Sequence, residues 1–253
     1  SRGLGDVYKR QSSHGFEVQV DANHAFNKNF WLGVRGNFTY ATGKYEHVEE
    51  PYRPYPWLSH IGKRINQTYG LIAERLFIDE EDIANSPVQT YGEYMPGDIK
   101  YKDVNNDGII NDEDIVPIGI SSSPEIVYGF GLNAEWRGFY AGIFFQGSGN
   151  TSTVLGASSN GAFFPFQWGV EESAVRSEVA NRWTEQNPSQ NVMFPRMHSN
   201  NFDNNTVAST WWLRDASFLR LKNVEIGYNF KEKTLKKIGI QALRVYLQGN
   251  NLC

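Results

Sequence analysis

The feature of this sequence that most constrains its fold is an alternation of apolar and polar residues that persists through six long segments. A period of two residues is the pattern of a β-strand with two different faces. The segments run for 9 to 14 residues, whereas globular strands average about 5–6 and a tilted membrane-crossing strand needs about 9–11. The segments are residues 16–26, 30–40, 125–136, 139–147, 217–230 and 243–251. Their length predicts an all-β chain with strands long enough to span a membrane.

The connections between these segments alternate in length. Residues 27–29, 137–138 and 231–241 form short links, whereas residues 41–124 and 148–216 form long ones. In an antiparallel meander the short links then share one end and the long links the other. Outer-membrane barrels have this asymmetry, with short periplasmic turns and long extracellular loops. We therefore predict an antiparallel transmembrane β-barrel segment with two long extracellular loops, incomplete because the smallest single-chain barrels have about eight strands.

The two faces of the predicted strands differ in chemistry. Aromatic residues collect at the short links, as in the aromatic belt at a membrane surface: Phe26, Phe30, Trp31, Trp136, Phe139, Tyr140 and Phe230. The apolar rows are expected to face outer-membrane lipid. Polar residues are expected to face the barrel interior: Glu17, Gln19, Asp21, Arg35, Asn37, Asn133 and Glu135. A change of phase near Lys222 and Asn223 predicts a β-bulge.

Composition and charge exclude several classes of protein. The net charge is −4 and no basic block is present, so a nucleic-acid partner is not expected. Cys253 is the only cysteine, which excludes an internal disulfide. No apolar run reaches the roughly 18 residues of a transmembrane helix. Residues 1–11 lack periodicity, and we expect them to be a non-native leader. Residues 12–253 are expected to form part of a barrel domain whose other strands lie elsewhere in a longer protein.

A twelve-residue stretch in the first long connection matches the calcium loop of EF-hand proteins. Such loops place oxygen ligands at positions 1, 3, 5, 7, 9 and 12 and a glycine at position 6. Gly108 occupies that sixth position. The six ligand positions are filled by Asp103, Asn105, Asp107, Ile109, Asn111 and Asp114. Asp114 stands where a bidentate Glu is usual, so weak binding of a structural Ca²⁺ is expected. The alternative is an acidic turn held by hydrogen bonds of its Asp and Asn side chains, without an ion.

Aromatic residues in the long connections are candidates for contacts with a substrate. Trp57, Phe166, Trp168, Trp211 and Trp212 are the predicted substrate residues, and packing of one loop on another is the alternative. The histidines lack metal-ligand spacing, and the paired glutamates lie adjacent in polar stretches. Because no acid–base pair or nucleophile motif stands out, an enzyme is not expected.

Several stretches resemble SusC/RagA-like TonB-dependent outer-membrane transporters of Bacteroidetes. The resemblance is carried, in the family's order, by residues 97–108, 118–119, 124, 128–132, 138–147, 181–188, 195–196, 212–223 and 243–252. It implies a 22-stranded barrel in the outer membrane, with an N-terminal plug and a TonB box. It also implies a SusD-like surface lipoprotein as partner, TonB as energy source, and oligosaccharides or peptides as cargo. The chain departs from the family by lacking the plug, the TonB box and the remaining strands, so TonB would act through a missing N-terminal region. The two long loops are expected to form much of the contact with the lipoprotein and part of the substrate cavity.

Two other classes of protein are compatible with the alternation. The first is a secreted, calcium-stabilised β-sandwich that binds carbohydrate, with the same aromatics as stacking platforms. The second, a β-rich glycan-degrading enzyme, lacks an evident acid–base pair. Dependence on lipid or detergent separates the transporter from both alternatives, and turnover of glycans separates the enzyme from the binding module.

Overall fold

The computed structural model describes residues 9–156, 163–166, 175–198, 203–230 and 239–252. By its internal contacts the chain divides into two compact units. What we call the sheet unit comprises Ser12–Gly43, Ser123–Thr151 and Ala216–Cys253. The loop unit comprises Ser1–Gln11, Lys44–Ser122 and Ser152–Asp215. Most of both predicted long connections therefore belongs to one unit.

The described residues are mostly in strands and irregular segments, with only short helices. In chain order the strands are β1 (Lys9–Asn27), β2 (Phe30–Val48), β3 (Tyr69–Gly70), β4 (Ala73–Leu76), β5 (Val88–Gln89), β6 (Ile99–Tyr101), β7 (Ile109–Ile110), β8 (Val116–Pro117), β9 (Ile126–Trp136), β10 (Phe139–Gly149), β11 (Ser152–Val154), β12 (Leu213–Asp215), β13 (Phe218–Asn229) and β14 (Arg244–Asn250). The helices are α1 (Glu80–Ala84) and α2 (Asp203–Thr206), with 3₁₀ turns at Pro56–Leu58, Asp112–Asp114 and Ser177–Ala180. Within the described part of the chain, no helix has the length and apolar character needed to cross a membrane.

The long strands form one six-stranded sheet in the order β1-β2-β9-β10-β13-β14. This order follows the chain, and β2, β9, β10, β13 and β14 pair antiparallel with their neighbours. The predicted all-β meander with alternating short and long connections is confirmed. Among the described residues the sheet stays open, with β1 and β14 at its edges.

The first two strands are longer than the alternation indicated. β1 begins at Lys9 instead of residue 16, and β2 continues to Val48 instead of residue 40. Ladder hydrogen bonds join backbone groups, so pairing continues where the side-chain pattern has ended. The assignment of residues 1–11 to a non-native leader stays a prediction.

A β-bulge lies where the sequence changes phase. In the β10–β13 ladder Phe144 pairs with Asn223 and Phe145 pairs with Leu221, so Lys222 is the extra residue. An extra residue moves the following side chains to the opposite face. The predicted bulge is confirmed, and it keeps the apolar residues on both sides of Lys222 on one face.

The loop unit has a hydrophobic core of its own. Its small ladders pair β3 with β8, β4 with β6, β5 with β7, and β11 with β12. Both long connections contribute to the core, which contains Leu71, Leu76, Ile99, Tyr101, Ile110, Ile118, Val154, Phe164, Val179, Trp183, Phe194 and Trp212. Because the two connections bury their apolar residues against each other, they fold as one body rather than as independent loops.

Buried amide side chains join the two connections within the loop unit. Gln89 donates to the side-chain oxygen of Asn204 over 2.7 Å and accepts from the Tyr101 backbone N–H over 2.7 Å. Asn205 accepts from the Ile99 backbone N–H over 3.0 Å. A buried amide without a partner would be costly, so each of these side chains fixes one connection against the other.

Candidate functional site: a two-faced sheet and an acidic loop

One face of the six-stranded sheet carries apolar side chains in register across five strands. Three rows follow from the strand pairing: Phe30–Trp136–Phe139–Tyr228–Val245, Leu32–Ala134–Ala141–Ile226–Leu247 and Val34–Leu132–Ile143–Val224–Gly249. Many of these side chains are exposed, with Leu247 at 82% and Ile226 at 59%. Soluble monomers rarely expose a contiguous apolar patch above a few hundred Å². This face is therefore built to meet an apolar surrounding.

Aromatic side chains on this face gather at the short-turn end of the strands. Phe26 stacks on Phe30 with ring centroids 5.2 Å apart, and Phe139 contacts Tyr228 at 4.5 Å. Trp31 and Tyr140, which belong to the predicted aromatic belt, pair with Glu135 and Gly227 instead. They lie on the opposite face, because neighbouring residues of a strand alternate between faces.

The opposite face is polar and its side chains contact one another. The Arg35 guanidinium lies 4.6 Å from the centre of the Phe144 ring. Arg244 bonds to both Glu225 and Tyr140. An open hollow on this face is lined by Glu17, Gln19, Asp21, Arg35, Gly36, Asn37 and Phe144. These contacts place Glu17, Gln19, Asp21, Arg35 and Asn37 of the predicted interior set along one hydrated surface.

The predicted calcium loop is closed by hydrogen bonds between its own groups. Asp103 accepts backbone N–H groups from Asn106 at 2.6 Å, Asp107 at 3.3 Å and Gly108 at 2.8 Å. Asn105 accepts from the Asp107 N–H at 3.1 Å, and Asp107 accepts from the Ile109 N–H at 2.8 Å. These are the side-chain–backbone bonds of an Asx-type turn.

The end of this loop is buried and capped. Asp114 is fully buried and accepts the N–H groups of Val104 at 2.7 Å and Asn111 at 2.9 Å. Asn111 in turn accepts the Glu113 N–H at 2.7 Å, and Asn111 and Asp114 together form a capping box on the short 3₁₀ turn. Among the described residues no three His, Cys, Asp or Glu side chains are gathered so as to hold a metal ion. Calcium binding by this loop stays a prediction.

Two aromatic side chains dock on the acidic loop. Tyr55 and Trp57 stack with centroids 4.7 Å apart and planes within 6°. The Trp57 indole donates to the Glu113 carbonyl over 2.8 Å, and the Asn105 amide donates to the Tyr55 hydroxyl over 3.3 Å. Trp57, a predicted substrate residue, therefore packs within the first long connection, and its contact with a substrate stays a prediction.

Of the other predicted substrate residues, Trp211 and Trp212 have packing contacts in the described part of the chain. Trp212 is 1% exposed and donates to the Asn205 carbonyl over 2.8 Å. Trp211 is half-buried and donates to the Met193 carbonyl over 3.0 Å. Phe166 is half-buried in a turn at φ 56°, and Trp168 lies outside the described residues. Trp212 also borders a small hollow together with Phe164 and Phe194.

The sequence reasoning missed a charged cluster beside α1. Asp82 accepts two hydrogen bonds from Arg75, at 2.5 and 2.7 Å, and one from Lys100 at 3.1 Å. The Arg75 hydrogen bonds outweigh the opposing effect of burial and hold the pKa of Asp82 well below its ordinary value. The three residues come from separate stretches of the first long connection, so no local sequence pattern predicted the cluster.

A second cluster, at Glu50, contains a serine and a histidine but lacks catalytic geometry. Glu50 accepts from the Ser59 hydroxyl at 2.5 Å and contacts the His60 ring at 3.1 Å. Burial raises the pKa of Glu50, but these hydrogen bonds outweigh burial, so its pKa lies below the ordinary value. In a serine hydrolase the imidazole, and not the carboxylate, is hydrogen-bonded to the nucleophilic hydroxyl. This cluster therefore stabilises the loop without forming a nucleophile.

Comparisons with known proteins give sequence relatives among TonB-dependent receptors. No family model matches the chain. TonB-dependent receptor P26 of Formosa agariphila is 32% identical over 156 residues, which are 62% of this chain and 15% of that relative. TonB-dependent receptor P3 of the same organism is 29% identical over 161 residues, 64% of this chain and 15% of the relative. The chain thus spans about a seventh of the length of these two relatives.

Solved structures with a similar fold include those of the RagAB peptide transporter. One is the structure of the RagAB peptide transporter, with a TM-score of 0.66 and 21% sequence identity. The match covers 96% of this chain and 25% of the transporter chain. The RagAB peptide importer in the 'open-open' state matches with a TM-score of 0.67, over 97% of this chain and 25% of its own. At this identity the likeness concerns the fold, which is that of a barrel wall with its loops. Sequence and fold together support the resemblance read from the motifs: the chain is similar in sequence to TonB-dependent receptors and in fold to the RagAB structures.

Proposed function

We propose that this chain forms part of the wall and surface loops of a TonB-dependent importer in the bacterial outer membrane. The observation that carries the proposal is the set of exposed apolar rows in register on one sheet face, with a polar face behind them. A membrane barrel needs this division, because lipid meets one face and the lumen meets the other. The sequence relatives and the shared fold support the same assignment.

The chain contributes structure to transport rather than chemistry. Its apolar face contacts lipid, and its polar face lines the lumen or meets an N-terminal plug. The loop unit, as one body with its own core, belongs to the extracellular mouth. We propose that a SusD-like lipoprotein binds at that mouth and that TonB acts through an N-terminal region. The cargo is an oligosaccharide or a peptide.

Membrane fractionation tests the assignment. The full-length gene that contains this segment is expressed with any adjacent lipoprotein gene. We expect the protein in the outer membrane, extractable only with detergent, together with the lipoprotein. Recovery in the soluble fraction, folded without detergent, would instead identify a secreted calcium-stabilised sandwich. Uptake of labelled peptides and oligosaccharides by the same cells then identifies the cargo.

A pair of neighbouring substitutions tests which face meets lipid. Leu132 lies on the apolar face and Asn133 on the polar face, one residue apart on β9. A lysine facing lipid near the bilayer centre costs about 2–4 kcal/mol. We therefore expect Leu132→Lys to lower the folded fraction in the outer membrane sharply, whereas Asn133→Lys leaves it nearly unchanged. Equal effects of the two substitutions would contradict the assignment of faces.

A further inference from the structure

Two neighbouring turns at the short end of the sheet each carry one exposed cation. Lys28 lies in the turn between β1 and β2, and Arg137 lies in the turn between β9 and β10. The Arg137 backbone N–H donates to the Asn29 carbonyl over 2.9 Å, so the two turns are neighbours. The third short link is also cationic in sequence, with Lys231, Lys233, Lys236 and Lys237, but it lies outside the described residues and is not part of the site.

These cations have no anionic partner in the part of the chain that the structure describes. Neither Lys28 nor Arg137 forms an ion pair within 4.0 Å there. Arg137 instead lies over the Trp136 ring, with its guanidinium carbon 5.3 Å from the ring centre. Trp136 is 54% exposed on the apolar face, so this contact holds the charge at the aromatic rim of that face.

Two small side chains lie on the apolar face one row below this rim. The second row of that face pairs Ala134 with Ala141. The large residues Trp136 and Phe139 lie above this pair, and Leu132 and Ile143 lie below it. The two alanines and the Trp136 ring under Arg137 belong to the same face, so one molecule with an anionic head and an apolar chain can contact both features.

We propose that Arg137 and Lys28 bind the phosphate of an anionic phospholipid whose acyl chain lies over Ala134 and Ala141. The proposal rests on the proposed function, which puts this face in contact with lipid. Aromatic side chains lie at headgroup depth in membranes, which places the neighbouring cations level with lipid phosphates. Each Lys or Arg near an anionic surface contributes about 1 kcal/mol, equivalent to about fivefold in affinity.

Lipid titration followed by native mass spectrometry tests the site on the detergent-purified full-length protein. We expect phosphatidylglycerol to bind more tightly than phosphatidylcholine of the same acyl chains. Arg137→Gln should lower phosphatidylglycerol affinity about fivefold, and the double variant with Lys28→Gln about 30-fold. Arg137→Lys should stay within about twofold of the parent because it keeps the charge. The matched control Lys44→Gln removes an exposed cation that pairs with Glu46, and it should leave binding unchanged.

The outcomes separate the failure of this inference from the failure of the proposed function. A soluble protein that needs no detergent overturns both. An outer-membrane protein that binds the two lipids equally, or loses as much binding in Lys44→Gln as in Arg137→Gln, overturns only the headgroup site. Inorganic phosphate that displaces phosphatidylglycerol at equal concentration would identify a free-anion site instead. Ala141→Leu places a larger side chain between the rows of Trp136 and Ile143, and it is expected to weaken the binding of both lipids because it acts on the acyl chain.

Discussion

The contact between Gly97 and Trp183 offers a sharp test of the shared core in the loop unit. Gly97 belongs to the first long connection and Trp183 to the second. Gly97 has φ +94°, and a Cβ built there would lie 2.4 Å from two atoms of the Trp183 ring. Trp183 is only 5% exposed, so the ring has little room to move away. The Gly97 carbonyl also accepts the Arg196 N–H over 2.8 Å, which ties the same two connections together.

The expected cost of Gly97→Ala has two parts. A residue with a Cβ in the left-handed region costs roughly 1–2 kcal/mol, and overpacking of a core costs about 1–3 kcal/mol more. Gly62 supplies the matched control, because it has φ +77° and a Cβ there would meet nothing within 4 Å. Gly62→Ala should therefore cost only the backbone part. The difference between the two variants, about 1–3 kcal/mol, is the packing of Gly97 against Trp183.

Hydrogen exchange on the full-length protein measures this difference locally. A difference of about 1–3 kcal/mol corresponds to opening that is roughly five- to 150-fold more frequent. In Gly97→Ala we expect faster exchange both around residues 97–101 and around residues 179–194, since the core is shared. Equal exchange in the two variants, or acceleration confined to the first connection, would refute the reasoning that one core joins both.

Four further measurements address the charged and acidic parts of the loop unit. Asp82→Asn leaves Arg75 and Lys100 without their anion and should cost about 3 kcal/mol, whereas the exposed Glu80→Gln should change stability by less than about 0.5 kcal/mol in denaturant titrations. The folded pKa of Asp82 lies below its unfolded value of about 3.9. The contribution of Asp82 to the free energy of unfolding is therefore fully present above that value and declines as the pH falls towards the folded pKa. A melting temperature that is unchanged between pH 5 and pH 2 would contradict this expectation. Trp57→Ala should accelerate hydrogen exchange across residues 103–114, because the indole loses its bond to the Glu113 carbonyl. Unchanged hydrogen exchange together with weaker cargo binding would instead assign Trp57 to the substrate site. Calorimetry at millimolar Ca²⁺ should show uptake by the parent protein but not by its Asp103→Asn variant, and no uptake by the parent would leave a hydrogen-bonded turn without an ion.

The sheet follows closely from the sequence because its signal is local. A side chain two positions along a strand returns to the same face, so alternation in residues 16–40, 125–147 and 217–230 identifies both the strands and their faces. The phase change at Lys222 marks the bulge for the same reason. The error at Trp31 and Tyr140 arose from choosing aromatic residues by their nearness to a turn. Their position in the alternation places them on the polar face.

Strand ends were harder to predict than strand faces. β1 and β2 extend beyond the alternating residues because a ladder continues wherever a neighbouring backbone is available. Whether a neighbouring backbone is available depends on both strands of a pair, so it cannot be predicted from the sequence of either strand alone.

What the sequence by itself determined is the two-faced sheet, its short and long connections, and its likeness to a family of transporters. Only the tertiary structure decided how the long connections fold. Trp183, Phe194 and Trp212 meet Leu76 and Ile99 in one core although they are far apart in sequence. Irregular segments have no fixed period, so the burial of a loop side chain depends on which distant residue packs against it.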